Sequence, residues 1–239
     1  MTTNVFDGHA GLMASDSRWS NSDLGYAVLY VDDAEFEKIV RTEKLAFMFA
    51  GDAGKIKEWK EWAVDPAAMI RTMPDPDGVA MCMVDIKTGE IRREFDCDPD
   101  CMVEKARFAG TGAKHAYKCW TDNRDAKKAV STAIGADRYS GGQVKFLELS
   151  TGENNLSKKD RYESIVELFK SKGKYMFIQP QGKLGEELDV DTGDEAVKAL
   201  AHKVASGEAR LEAPTSSRRV WSPEEKEELK RVLSEYYPQ

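Results

Sequence analysis

Short apolar runs separated by tight turns dominate the first half of this chain of 239 residues. Residues 2–6 and 10–15 flank a turn at Gly8, and residues 79–85 and 91–95 flank a turn at Gly89. Such pairs of runs are typical of β-hairpins, so the sequence predicts antiparallel sheets. The remaining strand candidates before residue 150 are residues 24–31, 45–50 and 143–149.

Helical segments are grouped between these strands. One helix is expected to open at Gly51 and run to about Ala63, and two more are expected at residues 110–120 and 126–136. Hairpins with helices grouped between them predict an α+β fold in which two antiparallel sheets are covered by helices.

Residues 151–239 have a different character, and we divide the sequence near residue 150. Helices are expected at residues 160–172 and 194–205, with a strand at 174–179 and a linker at 207–219. Ser222 followed by proline and two glutamates is a strong helix start, and this last helix should run to about Tyr236. Its apolar positions recur at helical spacing, so this face could dock another subunit or pack on its own chain.

Composition excludes several classes of function. The net charge of −7 argues against a nucleic-acid partner, which a basic surface would favour. No apolar run approaches the length of a membrane helix, and the first residues lack the features of a secretory signal. Four cysteines do not make a disulfide framework, so we expect a cytoplasmic protein. The pair Cys97 and Cys101 lacks two further zinc ligands, and we expect a turn there, no metal and no cofactor.

Thr2 is the first candidate for catalysis. Methionine is normally trimmed before a small residue, so the mature chain could begin at Thr2. An N-terminal threonine carries its own base, because its α-amine, with a pKa of about 7.7–8.0, can accept the hydroxyl proton. Many proteins begin with Met-Thr, so this signal needs support from the rest of the sequence.

That support comes from five short segments in a fixed order. Asp16-Ser17-Arg18 follows the first hairpin, and Asp137 begins an Asp-x-x-Ser-Gly-Gly sequence after the third helix. The other three segments are Lys38-Ile39-Val40, Phe49-Ala50-Gly51-Asp52-Ala53 and Gly110-Thr111-Gly112. In this order the segments resemble the proteasome β-subunit and HslV family of N-terminal-nucleophile (Ntn) hydrolases, over about residues 2–150. The resemblance implies a four-layer αββα sandwich of two antiparallel sheets. It does not cover residues 151–239, which we expect to form a mainly helical C-terminal extension of unknown role.

The resemblance implies a role for each matching residue. Thr2 would be the nucleophile, Lys38 the active-site lysine and Asp16 the carboxylate that keeps this lysine charged and oriented. Asp137 and Ser140 would hydrogen-bond around the terminal amine. The backbone N–H of Gly51 would be the oxyanion donor, and Thr111 stands where the family usually has serine. Phe49 and Ala53 would line the main specificity pocket. The backbone of Ser20 would pair with an extended substrate.

The function that follows is a threonine endopeptidase that cleaves polypeptides inside a homo-oligomeric ring or barrel, with an ATPase unfoldase as a possible partner. The stretch between Gly51 and Val79 has room for one helix and a fragment, where the family has two long helices. Two alternatives therefore stay open. The chain could be a catalytically silent binding or assembly protein with the same fold, or an amidohydrolase acting on a small molecule.

Overall fold

Two antiparallel sheets and six helices form the part of the chain that the computed structural model describes, which is residues 2–65, 72–95, 99–178, 185–213 and 220–237. The helices are α1 (Ala53–Val64), α2 (Ala113–Asn123), α3 (Ala126–Ile134), α4 (Glu163–Lys172), α5 (Glu195–Ser206) and α6 (Pro223–Tyr236). Met1, Cys97, Asp98, Gln179 and residues 214–219 of the expected linker lie outside the described residues.

The smaller sheet contains the first predicted hairpin. Its strands are β1 (Asn4–Asp7), β2 (Leu12–Ser15), β9 (Met102–Val103), β10 (Ala106–Ala109) and β11 (Lys145–Glu148). They lie in the order β11-β2-β1-β10-β9. The hairpin is confirmed, since Asn4 pairs with Ser15 and Asp7 with Leu12.

The larger sheet has nine strands. They are β3 (Trp19–Asn21), β4 (Ala27–Val31), β5 (Ile39–Arg41), β6 (Leu45–Asp52), β7 (Val79–Asp85), β8 (Ile91–Arg93), β12 (Lys174–Phe177), β13 (Leu188–Asp189) and β14 (Glu212–Ala213). Their order is β13-β12-β4-β3-β14-β6-β7-β8, and β5 also pairs with β6. The second predicted hairpin is confirmed as β7 and β8.

Helix ends follow local capping chemistry where the sequence supplies it. Ser222 and Glu225 form a reciprocal capping box at the start of α6, where the sequence predicts a helix start.

The helix expected from residue 160 begins instead at Glu163. Asp160 has a φ of 43° and its carboxylate accepts hydrogen bonds from the Glu37 amide and from Lys60, so a tertiary contact replaces the first helical turn.

The C-terminal part of the chain shares the larger sheet with the N-terminal part. Strand β12 pairs with β4, and β14 lies between β3 and β6. The apolar face of α6 packs on its own chain, where all four of its large apolar side chains are buried in one cluster with α1 and β6. These side chains are Leu229, Val232, Leu233 and Tyr236.

Buried apolar residues form three main clusters. Side chains alternate along a strand, so Val5 of β1 packs towards α2 and α3 while its neighbour Phe6 packs towards the larger sheet. In the same way Met48 of β6 faces the smaller sheet, and Phe47 faces the cluster that contains α1, α4, α5 and α6. No helix in the described ranges is both long and apolar enough to cross a bilayer.

Candidate active site

Three chain segments that are far apart in the sequence meet around Thr2. The hairpin register continues beyond β1 and β2, since the Asp16 amide donates to the Thr3 carbonyl at 3.1 Å. Lys38 directly precedes β5, and its carbonyl accepts from the Phe49 amide of β6 at 2.8 Å. The packing of one sheet on the other therefore brings a lysine of the larger sheet to a carboxylate of the smaller one.

Thr2, Asp16 and Lys38 are in mutual contact. Lys38 Nζ donates to Thr2 Oγ1 at 2.7 Å and lies 2.9 Å from Asp16 Oδ1. Thr2 Oγ1 also donates to Asp16 Oδ1. The hydroxyl thus lies between a cation that can stabilise negative charge on its oxygen and a carboxylate that orients both groups.

These three groups are removed from solvent. Thr2 is fully buried, and the ion pair between Lys38 and Asp16 has side chains exposed by 1% and 0%. Burial lowers the pKa of the Lys38 ammonium below its ordinary value, and the neighbouring Asp16 carboxylate opposes this shift. Burial therefore makes this ammonium easier to deprotonate than the ammonium of an exposed lysine.

Asp16 is held by backbone donors as well as by Lys38. Its Oδ1 accepts from the Thr3 amide at 2.8 Å, and its Oδ2 accepts from the amides of Arg18 and Gly141, both at 3.1 Å. Such donors fix the position of the carboxylate.

The other predicted polar residues form a second network that joins the first through Thr3. Asp137 Oδ2 accepts from Thr111 Oγ1 at 2.5 Å and from Ser140 Oγ at 2.7 Å. The hydroxyls of Ser140 and Thr3 are 2.7 Å apart. The structure therefore brings Asp137, Ser140 and Thr111 together one residue away from Thr2.

The residues expected to bind substrate or to donate to the oxyanion lie in β3, in β6 and at the start of α1. Ser20 is in β3, Phe49 and Gly51 are in β6, and Ala53 is the first residue of α1. Phe49 and Ala53 are both buried in the cluster that α1 shares with the larger sheet. The backbone edges at Ser20 and Gly51 are occupied by β14 of the same chain.

Thr3 and Gly110 also belong to this site. Thr3 was not singled out from the sequence, and Gly110 was named only as part of the Gly110-Thr111-Gly112 segment, with no role of its own. Thr3 connects the two networks, and the only signal for it was its position next to Thr2. Gly110 has a φ of +91°, and a β-carbon there would lie 1.7 Å from the Thr2 carbonyl oxygen. The close approach of this backbone to Thr2 requires glycine.

Replacing Gly110 by alanine is expected to lower the free energy of unfolding by more than about 2 kcal/mol, because the new methyl group meets Thr2 and the φ is unfavourable. Gly89 is a matched control, with a φ of +72° and no atom within 4 Å of an added β-carbon. Gly89→Ala should cost only the conformational term of about 1 kcal/mol. Urea denaturation measures both, and equal losses would contradict the close contact at Gly110.

The described residues contain no group of three or more histidine, cysteine or acidic side chains placed to hold a metal ion. Of the pair considered in the sequence, Cys101 is buried, whereas Cys97 is outside the described ranges.

Comparisons with known proteins find likeness among solved structures, and the example reported below is remote. No family model matches the sequence, and no curated protein matches it significantly. Among solved structures, the chain is similar to eukaryotic HslV from Trypanosoma brucei, with a TM-score of 0.35 and 16% identity over 61% of this chain and 99% of that one. A likeness at this level does not assign a function, so any assignment depends on the contacts around Thr2.

Proposed function

We propose that this chain is a threonine peptidase that uses Thr2, once its α-amine is free, as the nucleophile that cleaves peptide bonds. The observation that carries the proposal is the buried contact of Thr2 Oγ1 with Lys38 Nζ at 2.7 Å and with Asp16. A threonine hydroxyl needs a base and a nearby positive charge to act as a nucleophile, and this arrangement supplies the charge. The free amine of Thr2 would supply the base.

In the proposed reaction Thr2 Oγ1 bonds to the substrate carbonyl carbon and its proton passes to the α-amine. The resulting oxyanion accepts a hydrogen bond from the Gly51 amide, a type of contact whose loss typically costs about 3–4 kcal/mol of transition-state stabilisation. The C–N bond then breaks as the leaving nitrogen takes the proton from the α-ammonium. This leaves the acyl group as an ester on Thr2 Oγ1. Water then gives a proton to the same amine and attacks the ester carbonyl. The bond to Thr2 Oγ1 breaks, Thr2 Oγ1 takes the proton back, and the acyl group leaves as a carboxylic acid.

The second network has a matching role in this proposal. Asp137 and Ser140 would hydrogen-bond around the free amine, and Thr111 would hold the Asp137 carboxylate in place. The contact between the Ser140 and Thr3 hydroxyls supports this role, because it joins the polar network to the residue next to Thr2. Phe49 and Ala53 would line the specificity pocket.

We also propose a four-layer αββα arrangement with residues 1–150 as the catalytic core and residues 151–239 as an addition to it. The three apolar clusters support the layering, since they lie between α2/α3 and the smaller sheet, between the two sheets, and between the larger sheet and the remaining helices. A homo-oligomeric particle and an ATPase unfoldase partner stay predictions from the resemblance, and a cytoplasmic location stays a prediction from the cysteine content.

One observation favours a second candidate, a catalytically silent binding or assembly protein of the same fold. Thr2 is fully buried, so its hydroxyl is not open to a substrate in this conformation. Covalent capture by a peptide epoxyketone or β-lactone separates the two candidates. A mass increase localised to Thr2, together with hydrolysis of peptide amides, supports the peptidase. If protein that begins at Thr2 neither forms the adduct nor hydrolyses peptide amides, the catalytically silent protein is supported.

Intact-mass spectrometry is expected to find Thr2 as the N-terminal residue of the active protein. The physical reason is that a peptide nitrogen cannot accept the hydroxyl proton, whereas a free amine with a pKa of about 7.7–8.0 can. Chains that retain Met1 in the same sample are the control, and they should form no covalent adduct. Peptide hydrolysis by protein that retains Met1 on nearly every chain would contradict the proposed mechanism.

A further inference from the structure

Strand β14 lies in the position where a peptide substrate is expected. Glu212 pairs with Ser20 of β3 on one side and with Asp52 of β6 on the other, and Ala213 pairs with Gly51. All of these pairings are antiparallel. The predicted substrate edge at Ser20 and the predicted oxyanion donor at Gly51 are therefore bridged by the chain's own C-terminal part.

Without β14, strands β3 and β6 would leave a slot one strand wide. Neighbouring strands lie about 4.8 Å apart, so two strands that flank a third are separated by about 9.6 Å. Each side of the slot would present unpaired backbone groups, which an extended peptide can satisfy on both sides at once. An extended polypeptide fits this slot in shape and in hydrogen bonding.

The slot is also next to the Thr2 site. The Phe49 amide donates to the carbonyl of Lys38, and the Asp52 amide donates to Gly78 on the opposite edge of β6. Because donors alternate along a strand, the Gly51 N–H points to the edge on which both Lys38 and β14 lie. The backbone donor assigned to the oxyanion thus faces the slot two residues from the point where Lys38 is attached.

Backbone pairing on both sides, an Asn21 side chain that donates to the Arg210 carbonyl at 3.0 Å, and the side chains of residues 210–213 hold β14. Leu211 and Ala213, on either side of Glu212, are buried in the cluster that also contains Phe49. Arg210 forms an ion pair with Asp52 at 2.9 Å, but its side chain is 55% exposed, and exposed pairs contribute little. β14 has only two residues in the ladder, and Leu211 is the larger of the two buried apolar side chains that hold this segment.

We propose that residues 210–213 act as an internal competitor in the slot between β3 and β6, where the resemblance already predicts that an extended substrate pairs. Polypeptide substrates enter by displacing β14, and the favoured ones carry an aliphatic and a small apolar residue two positions apart, as Leu211 and Ala213 are. The regulatory part of this inference rests on the proposed function, because it makes β14 the segment that keeps peptides from Thr2.

Peptide binding to the full chain tests the proposal. The probe is a fluorescein-labelled peptide with the sequence of residues 209–213, Ala-Arg-Leu-Glu-Ala. The host protein carries Thr2→Ala so that no reaction interferes. Leu211→Ala is expected to tighten the apparent Kd at least about tenfold, because a larger fraction of molecules has an open slot.

Leu200→Ala is the matched control, since Leu200 lies in α5 and is buried in the same cluster. It also removes a buried leucine, but it does not loosen β14, so its apparent Kd should stay within about threefold of the parent protein. Equal affinity for the parent, Leu211→Ala and Leu200→Ala proteins would overturn the proposal.

Hydrogen exchange on the unsubstituted chain gives a test that does not depend on the folding of a variant. The amides of residues 211–213 should exchange at least about 100-fold faster than those at the centre of β6, and faster still when the probe peptide is added. Exchange as slow as in β6 and unchanged by the peptide would mean that β14 is a permanent strand.

Covalent capture separates this inference from the proposed function. With Thr2 intact, Leu211→Ala should raise the rate of epoxyketone labelling at Thr2 by about the same factor as peptide affinity. If Leu211→Ala tightens peptide binding but Thr2 is not labelled in any of the proteins, the internal competitor is supported and the proposed peptidase activity is wrong. If Thr2 is labelled at the same rate in the unsubstituted and Leu211→Ala proteins, and peptide binding is also unchanged, the peptidase activity is supported and the internal competitor is wrong.

Discussion

Replacing Thr2 by alanine is expected to abolish peptide hydrolysis and covalent capture, with a loss of more than about 10⁴-fold in kcat/KM, because removing a nucleophile removes the covalent route altogether. The fold should persist, since the ion pair between Lys38 and Asp16 stays intact. Peptidase assays and circular dichroism on the full chain measure the two effects.

Two further variants make this result specific to the Thr2 hydroxyl. Thr2→Ser keeps a hydroxyl and should retain most of the activity. Thr3→Ala removes the neighbouring hydroxyl and its contact with Ser140, and one lost hydrogen bond of about 1 kcal/mol should reduce the rate by less than about tenfold. Activity that survives Thr2→Ala would belong to another site or to a contaminant.

The second large effect is expected at Lys38. Lys38→Met leaves the Asp16 carboxylate buried without its cation, and breaking a buried pair costs about 3–5 kcal/mol of stability. The backbone donors to Asp16 remain, so we expect a loss near the lower end of this range. Hydrolysis should fall by more than about 100-fold, because the charge next to Thr2 Oγ1 is lost.

Lys60 is the matched control, since it is also a buried lysine whose pKa is lowered by burial, and it pairs with Asp160 at 2.5 Å. Asp160 is 30% exposed, so water relieves part of the loss in Lys60→Met. This variant should be destabilised less and should hydrolyse peptides within a few-fold of the unsubstituted protein at a temperature where both are folded. Equal losses of activity for the two lysines would mean that Lys38 acts only through stability.

The residues of the candidate site could be proposed from the sequence, because their order along the chain resembles a known family. Their contacts could not. Asp16 and Lys38 are 22 positions apart and belong to different sheets, so the 2.9 Å distance between them depends on how one sheet packs on the other. Thr3 was missed and Gly110 received no role of its own, because a second threonine and a glycine carry no distinctive pattern before the backbone path around Thr2 is known.

The sequence by itself determined the hairpins and most of the helices, because turn residues, apolar periodicity and capping groups act over a few neighbouring positions. It gave no indication of β14, whose two residues have neither length nor alternation. Only the tertiary structure decided that Glu212 and Ala213 lie between β3 and β6, since pairing across about 160 to 190 positions depends on which strand edges the rest of the fold leaves open. Helix α6 is a second example. Its apolar face could be predicted from the sequence, but the surface of the same chain that covers this face could not, because that contact also depends on the tertiary structure.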